Sequence, residues 1–333
     1  MVVVIRVYLD QNKWIDLARA ATGHRSGDRF ADALASARSA VTSGVASFPL
    51  DMYRYWETGK RNDDRSRNDV ADVMLGLSRQ HTMALPGELL PAELDEALMR
   101  RFGQPKHPRQ PEVFGIGLRD ITKGRMTWPA PDISKLPDQG GSISPDRVAD
   151  LERAFNRVLE ERLLRAGPDI VRAAGLDRAA LDLDQQYVDY ENSIGREIRE
   201  QRLTGDLLEL AVRASDLGGI RPAVTEALER IGLTWDEFVT DMGPGYLVSF
   251  MDDLPTRYVT NVMRSAKLRQ TEQKWEPNDF NDVLALPVAA VYCDVVVTEK
   301  QWVHHMRQGK VDKKYATMLL NDTADLVGIL ASA

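Results

Sequence analysis

The chain has 333 residues, 43% hydrophobic and 28% charged, with a net charge of −7 and a single cysteine. That length can bury a sizeable core in one or two domains, and the composition is that of an ordinary soluble globular protein. Lone Cys293 excludes a disulfide framework and a thiolate zinc cage, no apolar run approaches the ~20 residues of a bilayer span, and the acidic balance argues against a generic nucleic-acid coat; a cytoplasmic protein with no membrane partner is expected.

The first expected element is a strand, Val2 to Leu9, apolar throughout and ending on Asp10. Gln11 to Ala18 opens a helix, and a second runs from about Asp28 to Ser43 with Phe30, Leu34, Ala37 and Val41 at helical spacing. Val45 to Leu50 reads as a second strand. Helices follow over Met52 to Thr58, Arg67 to His81 and Glu93 to Phe102. From Gly103 to Gly141 frequent proline and glycine predict a loop or linker. Ser144 then caps an amphipathic helix, and further helices are expected over Pro168–Ala174, Glu191–Arg213, Pro222–Ile231 and Trp235–Met242, with a break at Gly243-Pro244-Gly245. Pro255 to Lys274 reads as one long helix. An Ala/Leu/Val helix starts near Pro277, Val295-Val296-Val297 forms a buried strand, Lys314 to Leu320 a last strand, and Thr323 to Leu330 a closing helix.

Strands at both ends with helices between predict an α/β protein whose central sheet is mostly parallel. The expected organisation is a discontinuous α/β domain, 1–142 and 255–333, interrupted by an all-helical insertion, 143–254.

The chemistry lies in acids at strand ends, where α/β sheets bind ligands. Asp10 closes the first strand, or else caps the next helix. Glu57 follows the second strand, or is an exposed helical glutamate. Asp279 and Asp282 are three apart and share a helix face; Asp279 can equally cap that helix. Glu299 and Thr298 end the Val-rich strand, and Asp294 precedes it. Such acids, gathered together, would make an oxygen-rich pocket suited to Mg²⁺ or Mn²⁺, which lowers the pKa of bound water and stabilises phosphoryl charge. Two basic stretches flank the motif. Arg257–Lys274 carries five Lys/Arg against one acid, and Glu299–Lys314 five against two. They are either solvated helix faces or a phosphate-gripping surface, in which case Lys267, Arg269, Lys300, Arg307 and Lys310 would contact nucleic acid. Tyr55, Trp56, Trp275 and Trp302 are either core or base-stacking residues.

At these residues the chain resembles the PIN-domain nucleases. An aspartate ends the first strand (Val7-Tyr8-Leu9-Asp10), a glutamate sits on the helix after the second (Glu57), and Asp282 opens an alanine-rich helix sixteen residues before Thr298. The phrase Asp294-Val-Val-Val-Thr298 is similar to the family's ending. The resemblance implies an α/β/α sandwich that cuts single-stranded RNA with carboxylate-bound Mg²⁺ or Mn²⁺. Asp10, Glu57, Asp282 and Glu299 would be catalytic and, with Asp279, would hold metal; Asn12, Thr298 and Asp294 would support them. Two features depart from the pattern. Lys300 stands where the family often has its last acid, and Pro287 interrupts the Asp282 helix, predicting a kink. The implied activity is a metal-dependent endoribonuclease, toxin-like or defence-associated. The alternatives are an inactive PIN-like module that binds RNA or protein, and a metal-dependent phosphatase. The partners consistent with these readings are an RNA substrate, a protein partner or inhibitor, and a second copy of the chain.

Overall fold

The computed structural model describes residues 4–122, 144–173, 183–270 and 274–332. They fall into two compact units: Met1–Met83, Phe114–Asp177 and Thr323–Ala333 form the first, Ala84–Val113 and Arg178–Asp322 the second.

In the first unit, β1 (Ile5–Leu9) buries Val7, Tyr8 and Leu9 completely. Asp10 ends it and caps α1 (Gln11–Ala21), its carboxylate accepting the Gln11 N–H at 2.7 Å. A 3-10 turn over Arg25–Phe30 leads into α2 (Ala31–Ser43), which stops at Gly44 with φ +77°, a left-handed value that glycine takes without strain. The short β2 (Ala46–Ser47) pairs parallel with β1, Ile5 opposite Ala46. Asp51 caps α3 (Met52–Gly59) and Asp63 caps α4 (Asp64–Ser78). The helix expected to reach His81 stops at Ser78. Arg79 and Gln80 turn left-handed at φ +48° and +62°, and the chain enters a strand that the periodicity did not show, β3 (His81–Met83).

The chain then supplies α5 (Pro86–Phe102) to the second unit, earlier than expected because Pro86 starts the helix at a position where a missing N–H costs nothing. It returns to the first unit with β4 (Phe114–Ile116), α6 (Leu118–Ile121), α7 (Pro145–Arg165) and α8 (Pro168–Ala173). β4 runs antiparallel to β3 and lies inside the stretch predicted as loop; the rest of that stretch, from 123 to 141, lies outside the described residues.

The second unit continues with α9 (Leu183–Glu200), α10 (Gly205–Arg230) and α11 (Trp235–Ser249). The boundaries differ from expectation. The predicted Glu191–Arg213 helix is split after Glu200, and α10 runs through Pro222. The break at Gly243 is real, with φ +69° inside α11. The helices over 143–254 are thus shared, α7 and α8 in the first unit, α9 to α11 in the second. Next come α12 (Pro255–Leu268), α13 (Pro277–Tyr292), β5 (Val295–Val297), α14 (Lys300–Gln308), α15 (Val311–Tyr315) and β6 (Met318–Leu320). α12 ends before the predicted Lys274, with 271–273 outside the described residues. α13 carries Pro287 in its interior and runs on to Tyr292. The expected strand from Lys314 is shortened because Tyr315 ends a helix and Ala316 turns left-handed at φ +54°. β5 and β6 pair parallel, Val296 opposite Leu319. A 3-10 turn, Thr323–Asp325, and α16 (Leu326–Ala331) bring the chain back to the first unit, where α16 packs on α2.

Among the described residues the protein is mostly helical α/β with short parallel strand pairs and one antiparallel pair. The first unit centres on Tyr8, Trp14, Leu17, Phe48, Leu50 and Met74. The second packs Leu94, Leu98, Val224, Leu228, Phe238 and Phe250 into one cluster. Each such side chain contributes roughly 1.5–3 kcal/mol by leaving water. Among the described residues no helix is long and apolar enough to cross a membrane.

Candidate active site

In the first unit, the end of β1 and the start of α3 converge on one guanidinium. Arg54, fully buried, donates from Nη1 to Asp10 Oδ1 at 2.5 Å. Its Nη2 lies 3.6 Å from Glu57 Oε2 and its Nε 3.7 Å from Asp51 Oδ2. Helical spacing explains the last two contacts, since Glu57 on α3 and Asp51, its N-cap, stand three residues to either side of Arg54. Asp51 is held independently: its Oδ1 accepts the N–H groups of Tyr53 (2.7 Å) and Arg54 (3.1 Å), and its Oδ2 the Tyr8 hydroxyl (2.7 Å). Burial, followed by the negative charges of Asp51 and Asp10, raises the Tyr8 pKa well above its ordinary value against the pull of Arg54. Tyr8 is therefore a neutral donor. Burial works against the Arg54 charge, but the carboxylates, Glu57 first, then Asp51 and Asp10, keep it protonated. Gln11, next to Asp10, hydrogen-bonds from Nε2 to Thr58 Oγ1 at 3.1 Å and ties α1 to α3.

The second unit holds the other predicted acids. Asp279, in the first turn of α13, accepts the Glu276 N–H at 2.6 Å and pairs with Lys267 Nζ at 2.5 Å. It is the N3 acid of a capping box whose N-cap is Glu276. Asp282 accepts the indole N–H of Trp302 at 2.8 Å. Glu299 is the exposed residue that precedes α14, and Thr298 is buried, its N–H on Leu320 O at 3.0 Å. Asp294 immediately precedes β5, its carbonyl accepting from the Met318 N–H. In the first unit Asn12 sits in the opening turn of α1.

The predicted phosphate contacts divide. Lys267 lies inside, its ammonium on Asp279 and 5.0 Å from the centre of the Trp275 ring. Arg269 pairs with Glu209. Arg307 donates to Leu319 O at 2.5 Å. Lys300 and Lys310 are exposed. Tyr55, Trp275 and Trp302 are core residues, and Trp56 is half-buried with its ring 5.5 Å from Tyr53. His305 is buried, and burial, then His304 and Lys267, lower its pKa.

No family model, no curated protein and no solved structure matches this chain. Its chemistry therefore has to be read from its own residues. Among the described residues no set of three His, Cys, Asp or Glu side chains has the arrangement of a metal cage. Asp10 and Glu57 nevertheless offer the hard carboxylate oxygens that Mg²⁺ and Mn²⁺ take, and these oxygens now face Arg54.

Asp51 and Arg54 are the residues that sequence reading missed. The signal for Asp51 was an acid just before the Met52 helix, the pattern of an N-cap. Nothing in the sequence marks Arg54 as buried.

A second buried acid lies apart from these. Glu160 on α7 borders a cavity of about 570 Å³ with Gln80, Arg119, Asp120, Asn156 and Arg157. Burial raises its pKa to about 7, against backbone N–H groups of Arg119 and Leu118 and the Tyr55 hydroxyl, which favour the charged form. Gly117, at φ +85°, makes this fit possible, since a Cβ there would fall 2.2 Å from Glu160 Oε1.

Proposed function

We propose that this chain is a metal-dependent endoribonuclease of PIN-like type, with Asp10 and Glu57 at the centre of its chemistry. One observation supports this above the others: Asp10 at the carboxyl end of β1 and Glu57 on α3 reach the same buried guanidinium, at 2.5 and 3.6 Å. Acids brought together from separate elements in a buried setting are what an ion-binding site requires, and burial strengthens every charge interaction there. A bound Mg²⁺ or Mn²⁺ would supply an activated water and charge stabilisation on the phosphodiester. Asp10 would hold that ion, its aim fixed by the cap bond to Gln11. Glu57, more exposed than Asp10, would orient the water. Asp282, Asp279 and Glu299 enter this reading through their positions in the sequence.

The test uses the purified chain with single-stranded RNA, in Mn²⁺ and in EDTA, beside Asp10→Asn and Glu57→Gln. Metal-dependent cutting lost in both variants supports the reading. Cutting that persists in EDTA, or in Asp10→Asn, rejects it. A nucleotide monoester in a parallel assay separates a phosphatase.

A second reading draws on Arg54 itself. A permanent cation already faces Asp10 and Glu57, and Lys300 stands where the resembling family often has an acid. Both favour an inactive PIN-like module that binds RNA or protein. RNA retention without cleavage in any metal would select it.

A further inference from the structure

We propose that the cavity between α6 and α7 binds a small phosphate monoester with a hydroxyl-bearing organic body: Arg119 and Arg157 hold its phosphate, Glu160 donates a hydrogen bond to that phosphate, and Gln80 accepts one from a hydroxyl. The cavity lies within the first unit. The inference goes beyond the nuclease reading and does not depend on it.

Three observations carry it. First, one helix face builds the cavity. Ala149, Glu152, Asn156 and Glu160 follow one another along α7 in steps of three or four residues and so share a side of it. Ile116, Gly117 and Arg119 contribute further lining. A space of about 570 Å³ is of the size that takes a small organic ligand, and far more than a bare phosphate ion fills. Ile116, 48% exposed, and Ala149 offer apolar surface to the ligand's body.

Second, two of the cavity's cations lack a carboxylate. Arg119 Nη1 donates to the neutral Asn156 Oδ1 at 3.4 Å, and among the described residues neither the Arg119 nor the Arg157 guanidinium is in an ion pair. The neighbouring charges are placed elsewhere: Asp120 accepts the Ile116 N–H at 3.0 Å, and Arg153 pairs with Asp150. A guanidinium matches the planar, paired oxygens of a phosphate better than any other side chain.

Third, two buried polar side chains line the same space. Gln80 Nε2 donates to Arg157 O at 2.8 Å, which fixes the amide's orientation and leaves Oε1 buried with no donor. An unmet buried acceptor is costly, and a ligand hydroxyl supplies the donor. Glu160, 2% exposed, accepts the N–H groups of Leu118 and Arg119 and, at 3.4 Å, the Tyr55 hydroxyl. Tyr55 on α3, Arg119 and Asp120 on α6, and Arg157 on its own helix are the titratable and charged groups around it. Burial first, and then the Asp120 charge, raise its pKa to about 7 against those donors. Near neutrality Glu160 therefore holds a proton that a phosphate oxygen can accept.

The experiment is calorimetric titration of the full chain with ribose 5-phosphate and with adenosine 5′-monophosphate, beside inorganic phosphate and ribose, for wild type, Arg157→Met and Glu160→Gln. Each titration is run near pH 7 in two buffers of different ionisation enthalpy, so that protons taken up with the ligand are counted. At least one ester should bind wild type more tightly than inorganic phosphate does, with proton uptake, and ribose should not bind. Arg157 is exposed, so Arg157→Met keeps the fold and should weaken the ester by about tenfold or more, the loss of one charged contact. Glu160→Gln should abolish the proton uptake. Should Glu160→Gln not fold, proton uptake by wild type and the Arg157→Met loss decide. No binding of either ester, inorganic phosphate binding as tightly as both, an unchanged affinity in Arg157→Met, or no proton uptake by wild type each overturns the inference and leaves Glu160 a structural acid that holds α6. None of these outcomes bears on RNA cleavage, which is read separately.

Discussion

Arg54 donates to Asp10 across 44 residues of sequence with a 2.5 Å bond, the shortest of its three carboxylate contacts. Asp10 therefore does two jobs with one oxygen: Oδ1 also caps α1 through Gln11. The two are separable by substitution. Asp10→Asn keeps an acceptor for the cap and removes the charge that faces Arg54. It should lose about 3 kcal/mol, the range for breaking one side of a buried ion pair. Asp10→Ala loses the cap as well and should cost about 1 kcal/mol more. Urea unfolding of both variants checks the order, and equal losses would show that the cap contributes nothing.

Tyr8→Phe tests the hydroxyl that Asp51 receives at 2.7 Å. The ring stays and one buried acceptor loses a donor, for an expected loss of about 1–3 kcal/mol. Urea denaturation measures it. A neutral result would mean that the two N–H bonds from α3 satisfy Asp51 unaided.

Glu160 gives the first unit a pH dependence near neutrality. Its folded pKa of about 7 lies above the ordinary 4.5, so folding favours the protonated form. The stability it provides is fully present below about pH 4.5 and is lost as pH rises through about 7. Between pH 5 and 8 the urea midpoint of wild type should fall further than that of Glu160→Gln, which cannot ionise. Parallel profiles would show that Glu160 titrates like an exposed glutamate.

Lys267 and Asp279, 2.5 Å apart and both buried, should couple strongly. Lys267→Met alone leaves a buried carboxylate without its cation and should cost about 3–5 kcal/mol. Adding Asp279→Asn should restore a good part of that loss, since the amide needs no counter-charge. A double-mutant cycle by chemical unfolding gives the coupling, and additive losses would mean the pair is effectively solvated.

Much of the framework was legible because its signals are local. Apolar β1 with Asp10 at its end, the Met52 helix carrying Glu57, the Val295–Val297 strand and the Gly243 break all followed from short patterns. What stayed hidden depends on partners. β4 is Phe-Gly-Ile, a strand only because β3 lies beside it. Pro222 reads as the start of a helix, yet α10 absorbs it within one long helix. Lys267 falls in a basic stretch and reads as surface, although Val259, Met263 and Ala266 place α12 in the core. The acids at Asp10 and Glu57 were visible as candidates; the arginine between them was not, because a sequence shows charge and not what surrounds it.

The first unit joins segments that lie far apart in the sequence. α16 lies against α2, with Thr323, Leu326 and Leu330 buried. A ribosome will have made α2, with its Leu34 and Val41, some 280 residues before the segment that covers it. Until then the nascent chain carries that face uncovered, and it is there that a chaperone would be needed and a stalled translation product would first aggregate.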